Sequence, residues 1–161
     1  MVGVDIAPKM LLHARQNAEE AGVSNVIFSS EIPDANFDLI VSLIVFQHVP
    51  VPRGMRLLRT LLDRLRPGGK AALHFTLPRN GGRLRRALRP IRANVPLIHR
   101  IAARLEGKRL ALPYMQMNEY DLAAIRGEIY RAGCDEPRVE PTDHGGIEGV
   151  IVITGKPPLP E

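Results

Sequence analysis

The pattern of apolar and polar positions predicts strands that alternate with helices. The chain opens on an apolar run, residues 1–6, and Pro8 then stands where a helix begins, because proline suits a first turn. Apolar residues recur at helical spacing until Gly22, which stands where a left-handed residue closes a helix. Short apolar runs follow at 26–28 and 37–45, and the second is apolar enough to be buried on both faces of a parallel sheet.

A second helix is predicted between residues 53 and 65, where one helical face is apolar and the other carries arginines. The Pro-Gly-Gly at 67–69 is expected to end this helix sharply, just before a strand at 70–76. The pattern so far consists of repeated strand-helix units, which favours an α/β fold with a parallel sheet.

The last third of the chain predicts one more helix and two strands. Asn118, with Asp121 three residues on, resembles a capping box, and Gly133 stands where the helix would end. Short apolar strands are expected near 138–140 and 150–154.

Composition narrows the class of protein. The chain has 161 residues, 45% hydrophobic and 24% charged, which is enough for one core and predicts a single domain. We expect no transmembrane segment and a cytoplasmic location, because no apolar run approaches about 20 residues and no signal peptide is evident. The lone Cys134 has no partner for a disulfide and no metal-site spacing, so we expect it to be a buried or half-buried side chain.

The net charge of +5 is concentrated in one segment. Residues 79–109 hold ten basic side chains and one acidic side chain, on what the spacing predicts to be two short helices. Such a surface suits an anionic partner. It is equally consistent with a solvated helical face in an arginine-rich composition, since the chain has 18 Arg and 4 Lys.

Three segments in order resemble the class I S-adenosylmethionine-dependent methyltransferases, in their small bacterial branch that acts mostly on small molecules. VGVDIAPKML at 2–11 resembles the strand whose terminal acid binds the cofactor's ribose. IPDANFDLIVS at 32–42 resembles the entry to the family's fourth strand, and LRPGGK at 65–70 resembles the turn before its fifth. AGC at 132–134, followed by two strands, resembles the start of the closing antiparallel hairpin.

The resemblance implies a Rossmann-like, mostly parallel sheet in the order 3-2-1-4-5-7-6, but with the first strand and its glycine-rich loop missing. Gly3 is no substitute, because it lies inside the strand that leads to Asp5. The loss is expected to leave two interior strand edges unpaired or to force those strands together. We expect a truncated gene model, with upstream sequence that encodes the missing strand and loop. The alternative is a degenerate remnant of the family.

The implied domain covers residues 1–155, with an inserted basic helical cap at 79–113 and a disordered tail at 156–161. Insertions at this place cover the substrate in related enzymes. A cap rich in arginine favours an acidic or phosphorylated acceptor, or one presented at an anionic membrane surface.

The cofactor implied by the resemblance is S-adenosyl-L-methionine. A carboxylate at the carboxyl end of a parallel strand can accept both hydroxyls of a ribose, which indicates a nucleoside and fits a dehydrogenase equally well. The later motifs resemble methyltransferases and not dehydrogenases. The cofactor-binding residues implied are Asp5, Ile6, Ser30, Glu31 and Ser42, although the loop at 29–36 is too short for the helix that often follows.

His48 is the candidate catalytic residue, because it follows the fourth strand of the family, from which side chains reach the transferring methyl group. Histidine suits a base near neutral pH, and a base is needed only if the acceptor must lose a proton. The alternative is that His48 orders the turn into the next helix. His74 on an apolar strand is expected to be a satisfied core residue, and His144 has no assigned role.

The predicted function is methyl transfer from S-adenosylmethionine to a small-molecule or lipid-like acceptor. The alternative is a non-catalytic remnant that acts as a binding module through its arginine-rich helices. Few aromatic residues, 4% of the chain, and no RNA-binding motif make nucleic acid an unfavoured partner.

Overall fold

The computed structural model describes residues 1–78, 117–143 and 148–160. The predicted cap at 79–113 and His144 therefore lie outside the described residues. The described chain forms two compact units, residues 1–36 and residues 37–161. In chain order the elements are β1 (Val2–Val4), α1 (Pro8–Glu20), β2 (Ile27–Ser29), β3 (Phe37–Ser42), a 3₁₀ helix (Phe46–His48), α2 (Val51–Asp63), β4 (Leu65–Thr76), α3 (Leu122–Arg131), β5 (Arg138–Asp143) and β6 (Glu148–Gly155).

The first unit is a strand-helix-strand element. β1 and β2 pair in parallel, with Val4 opposite Ser29, and α1 connects them. As predicted, α1 begins at Pro8, and Gly22 adopts a φ of +68° just after it ends. Gly3 packs under the ring of Phe28, where an added Cβ would lie 2.9 Å from Cδ1, so the two strands need a glycine at this contact.

The second unit is built on a four-stranded sheet in the order β3-β4-β6-β5. β3 and β4 are parallel, whereas β6 runs antiparallel to both β4 and β5. The two strands predicted near 138–140 and 150–154 are confirmed, and together they form the antiparallel hairpin that the resemblance implied.

The core lies on one face of this sheet. Ala71, Leu73 and Phe75 alternate along β4, so they share a face, and they cluster with buried leucines of α2 and isoleucines of α3. The expectation that β3 is buried on both faces is wrong for the described residues, because Leu39 and Val41 are 63% and 57% exposed.

The Pro-Gly-Gly at 67–69 has a different place from the one predicted. α2 ends at Asp63 and β4 already begins at Leu65, so the motif lies inside the strand and not between helix and strand. The pairing with β3 shifts register there. Gly68 has a φ of +78°, and its N–H donates to the carbonyl of Lys156 at 3.0 Å, while the N–H of Lys156 donates to Gly69. The motif therefore ties β4 to the chain that follows β6.

The N-cap of α3 also differs from the prediction. Asp121, and not Asn118, caps the helix, since its Oδ1 accepts from the N–H of Ala123 at 2.9 Å. Asn118 donates instead to the main-chain carbonyl of Gln47. The end of α3 is as predicted, with Gly133 at a φ of +71°.

An ion-pair group joins α2 and α3. Arg59 donates from Nε and Nη2 to the carboxylate of Glu128 at 3.0 and 2.9 Å, and Arg131 pairs with the same carboxylate. These hydrogen bonds lower the pKa of Glu128 to about 2.

The two side chains that were predicted to lie in the core, Cys134 and His74, are buried. Cys134 is buried, and burial raises the pKa of its thiol. His74 is a buried residue of β4, and its Nε2 lies 3.0 Å from Oγ1 of Thr142. In the part of the chain that the structure describes, no helix is long and apolar enough to cross a membrane.

Candidate functional site

Asp5 lies directly after β1, at the carboxyl end of the two-stranded sheet. Its main-chain N–H donates to Ser29 at 3.2 Å, which continues the pairing of β1 with β2 by one step. Its Oδ1 accepts from the N–H of Ala7 at 2.7 Å, just before α1 begins. The side chain is exposed. Because a carboxylate offers about four lone-pair directions, this one bond leaves capacity for two further donors.

The loop after β2 is ordered by a serine that the sequence did not indicate. Oγ of Ser29 donates to the carbonyl of Glu31 at 2.8 Å and accepts from the N–H of Glu31 at 3.1 Å. Ser30 and Glu31 are exposed, and no helix forms before β3, as the short loop predicted. Ser29 therefore fixes the turn that carries Ser30 and Glu31.

Four of the predicted site residues share one edge. β1 and β2 are parallel and end together, so the residues that follow them lie at the same carboxyl edge of the sheet. These residues are Asp5, Ile6, Ser30 and Glu31. Ile6 is 77% exposed, which leaves an apolar side chain beside the two carboxylates available to a ligand.

The other two predicted residues belong to the second unit, at the carboxyl end of β3. Ser42 is half-buried and is the last residue of β3. Ile44 follows with a φ of +61°, a left-handed conformation that a β-branched residue rarely adopts. His48 is exposed at the end of the 3₁₀ helix. A strained turn at the end of a strand is typical of functional sites, because the surrounding structure must hold it in place.

Next to His48 lies a polar network that the sequence analysis missed. Gln47 is buried, its Oε1 accepts from Oγ1 of Thr76 at 3.3 Å, and its Nε2 lies 3.1 Å from Nε2 of His48. Asn118 donates to the main-chain carbonyl of Gln47 from its own N–H at 2.8 Å and from Nδ2 at 3.1 Å. The network joins the ends of β3 and β4 to residues that precede α3.

Tyr120 supports this network through two hydrogen bonds to main-chain carbonyls. Its N–H donates to the carbonyl of Thr76 at 2.8 Å, and its hydroxyl donates to the carbonyl of Val49 at 2.7 Å. The ring is fully buried against Phe46 and Phe75. Burial raises the pKa of Tyr120 to about 12, so the hydroxyl stays protonated and acts as a donor at neutral pH.

Comparison with known proteins finds a family model that matches the first part of the chain. Residues 1–73 match the family model described as "Methyltransferase domain". Those residues contain Asp5, Glu31, Ser42 and His48, and the match therefore covers all of the predicted site. The first 73 residues are thus similar to a methyltransferase domain, in agreement with the resemblance to the class I S-adenosylmethionine-dependent methyltransferases.

Solved structures agree on the fold. The chain is similar to magnesium protoporphyrin IX methyltransferase from Synechocystis with bound S-adenosylhomocysteine, at 18% identity and a TM-score of 0.66 over 96% of this chain and 63% of that one. A methyltransferase from Methanosarcina mazei gives 18% identity, a TM-score of 0.64, and coverage of 98% and 82%. An O-methyltransferase family protein from Burkholderia thailandensis is 13% identical, with a TM-score of 0.61 over 98% of this chain and 43% of that one. No curated protein matches the chain in sequence.

The two sheets correspond to parts of the methyltransferase sheet order. In the family order 3-2-1-4-5-7-6, positions 3-2 correspond to β2-β1 and positions 4-5-7-6 correspond to β3-β4-β6-β5. Among the described residues, no strand takes the first position, so β1 pairs only with β2 and β3 only with β4. This is the first of the two expected consequences, unpaired strand edges. The chain spans 63% of the Synechocystis methyltransferase.

Proposed function

We propose that this protein transfers a methyl group from S-adenosylmethionine to a small-molecule or lipid-like acceptor. The observation that carries the proposal is the position of Asp5, an exposed carboxylate at the carboxyl end of β1 within the matched methyltransferase domain. Carboxylates at this place in open α/β sheets bind ribose hydroxyls.

The residues of the first unit fit the nucleoside half of the cofactor. Asp5 keeps accepting capacity for two ribose hydroxyls, and the Ser29-ordered turn presents Glu31 at the same edge, where its carboxylate suits the amino group of an adenine. Ile6 supplies exposed apolar surface for a base or ribose face. The bound cofactor supplies an activated methyl group on a sulfonium.

In the family a glycine-rich loop before the strand equivalent to β1 gives backbone donors and close approach to the methionine half of the cofactor. The proposal assigns only the nucleoside half of the cofactor to residues of this chain.

The acceptor side is assigned to the carboxyl ends of β3 and β4. Ser42 lies at the end of β3, and His48 is exposed and held by the amide of Gln47. In a methyl transfer, most of the rate enhancement comes from holding donor and acceptor in line, so groups that orient the acceptor are the main requirement. We assign this orienting role to His48 and its network.

The class of acceptor rests on the sequence of the basic segment. Residues 79–109 carry ten basic side chains and one acidic, which favours an acceptor with a carboxylate or phosphate, or one at an anionic membrane surface. The Synechocystis structure belongs to an enzyme that is named for a small-molecule acceptor, magnesium protoporphyrin IX.

The second candidate is a binding module without catalysis. The observation in its favour is the charge of residues 79–109, which carry ten basic side chains and one acidic side chain. In that case the arginine-rich segment would bind an anionic partner through charge, with binding that weakens steeply as salt is added.

Equilibrium dialysis with S-adenosylmethionine labelled on the methyl group separates the two functions. The protein is dialysed against the labelled cofactor and then incubated with a metabolite extract and, separately, with a lipid extract. The enzyme proposal predicts bound label and its protein-dependent transfer into one extract. Absence of both binding and transfer contradicts it and leaves the module.

A further inference from the structure

The side chain of Gln47 has both ends engaged. Its Oε1 accepts from the hydroxyl of Thr76 at 3.3 Å, and its Nε2 lies 3.1 Å from Nε2 of the His48 ring. An amide nitrogen carries two hydrogens and no accepting lone pair. The contact is therefore a hydrogen bond only if Gln47 donates and Nε2 of His48 accepts.

This contact determines where the neutral ring carries its proton. A neutral imidazole has one N–H and one accepting nitrogen, so a ring that accepts at Nε2 carries its hydrogen on Nδ1. Within the described residues, the hydrogen bonding of the ring involves Nε2 alone. His48 is exposed, and its Nδ1–H is thus left for a ligand.

Hydrogen bonds hold the Gln47 amide and the main chain beside it. The hydroxyl hydrogen of Thr76 is used on Oε1 of Gln47, and Thr76 is itself buried at 4% exposure. Asn118 donates twice to the main-chain carbonyl of Gln47. The N–H of Tyr120 holds the carbonyl of Thr76. A buried amide with these partners keeps its place, because each lost hydrogen bond leaves a buried polar group unsatisfied.

We propose that Gln47 is a positioning residue that holds His48 in the Nδ1–H tautomer, so that the ring offers the acceptor a hydrogen-bond donor and not a base. The tautomer follows from the orientation of the Gln47 amide, with Oε1 on Thr76 and Nε2 toward His48, whereas the role toward an acceptor rests on the proposed methyl transfer. A donor at this place fits an acceptor that presents a lone pair on oxygen, such as a carboxylate or a carbonyl. In this arrangement the ring removes no proton from the acceptor.

The tautomer is measured directly by NMR. The protein is labelled with ¹⁵N-histidine and long-range proton-nitrogen spectra are recorded at a pH where the rings are neutral. The five histidines are assigned by single substitutions, and His48→Asn identifies the signals of interest. No cofactor or acceptor is added, so the result is independent of whether the protein transfers a methyl group.

The expected result is the Nδ1–H pattern for His48 in the native protein, and a shift toward the Nε2–H form, which free histidine prefers, in Gln47→Leu. In Gln47→Glu, which keeps the shape of the side chain and only accepts, Nε2 of His48 should carry a proton. The signals of His74, which is held by Thr142, report a preserved fold if they stay unchanged. An Nε2–H pattern in the native protein, or an Nδ1–H pattern that stays unchanged in both variants with His74 unchanged, overturns the proposal.

Discussion

Replacing Gly54 with alanine would place a methyl group where the hydroxyl of Tyr120 now lies. An ideal Cβ on Gly54 falls 1.9 Å from the hydroxyl oxygen, 2.7 Å from Cζ and 2.9 Å from Cε1 of Tyr120. The tyrosine has little room to move, because its ring is fully buried between Phe46 and Phe75 and its hydroxyl donates to Val49. The substitution should therefore displace Tyr120 or distort α2.

The magnitude follows from two opposed effects. Alanine is better than glycine inside a helix by about 0.5 to 1 kcal/mol. Overpacking a well-filled core costs about 1 to 3 kcal/mol, and leaving the partly buried carbonyl of Val49 without its donor costs about 1 to 3 kcal/mol more. Gly54→Ala is thus expected to lower the free energy of unfolding by about 1 to 5 kcal/mol, in spite of the better helix former.

Urea unfolding followed by far-ultraviolet circular dichroism measures this change, since the chain has no tryptophan to report by fluorescence. Gly127→Ala is the matched control, because Gly127 lies in α3 with nothing within 4 Å of an added Cβ. It should stabilise the protein by about 0.5 to 1 kcal/mol. If both alanine variants are stabilised alike, Tyr120 does not pack on Gly54 and the reasoning is refuted.

Two further stability predictions use paired variants. Ile44→Gly relieves a left-handed φ that costs about 1 to 3 kcal/mol. It should therefore destabilise the protein less than Val45→Gly, which changes a neighbouring residue of similar exposure with an ordinary φ. Equal losses of stability in thermal unfolding would count against strain at Ile44. Glu128→Gln should lose more stability at neutral pH than Asp38→Asn, whose exposed pair with Arg66 contributes less than about 1 kcal/mol. Because the pKa of Glu128 is lowered to about 2, the contribution of its carboxylate to stability is complete above pH 4.5, the ordinary pKa, and is lost toward about pH 2. A stability difference between Glu128→Gln and the native protein that stays constant over this pH range contradicts the role of the ion pairs.

The elements that the sequence predicted correctly are those with local signals. Pro8 and Gly22 mark the ends of α1 because a fixed φ and a left-handed φ are needed there whatever the rest of the fold does. Asp5 could be placed for the same reason, since it directly follows an apolar strand. A residue whose position depends on its immediate neighbours can be located from one sequence.

The misplaced and missed features depend on contacts that are distant in the chain. Asn118 has a local capping pattern, but it bonds to Gln47, 71 residues away, and Asp121 takes the cap. Gln47 and Thr76 are 29 residues apart, and neither has a motif that announces the pair. The exposed face of β3 was misjudged because an apolar strand does not say which helices are present to cover it.

Isothermal titration with S-adenosylhomocysteine tests the central claim, that Asp5 holds the nucleoside of a methyltransferase cofactor. Asp5→Ala should weaken binding by about 1.5 to 3 kcal/mol, the usual loss for hydrogen bonds to a charged group. Glu20→Gln is the control, because it removes an acid of the same unit at the other end of α1, about 18 Å along the helix, and should leave affinity unchanged. Unchanged affinity in Asp5→Ala, or an equal loss in Glu20→Gln, contradicts the assignment of the site.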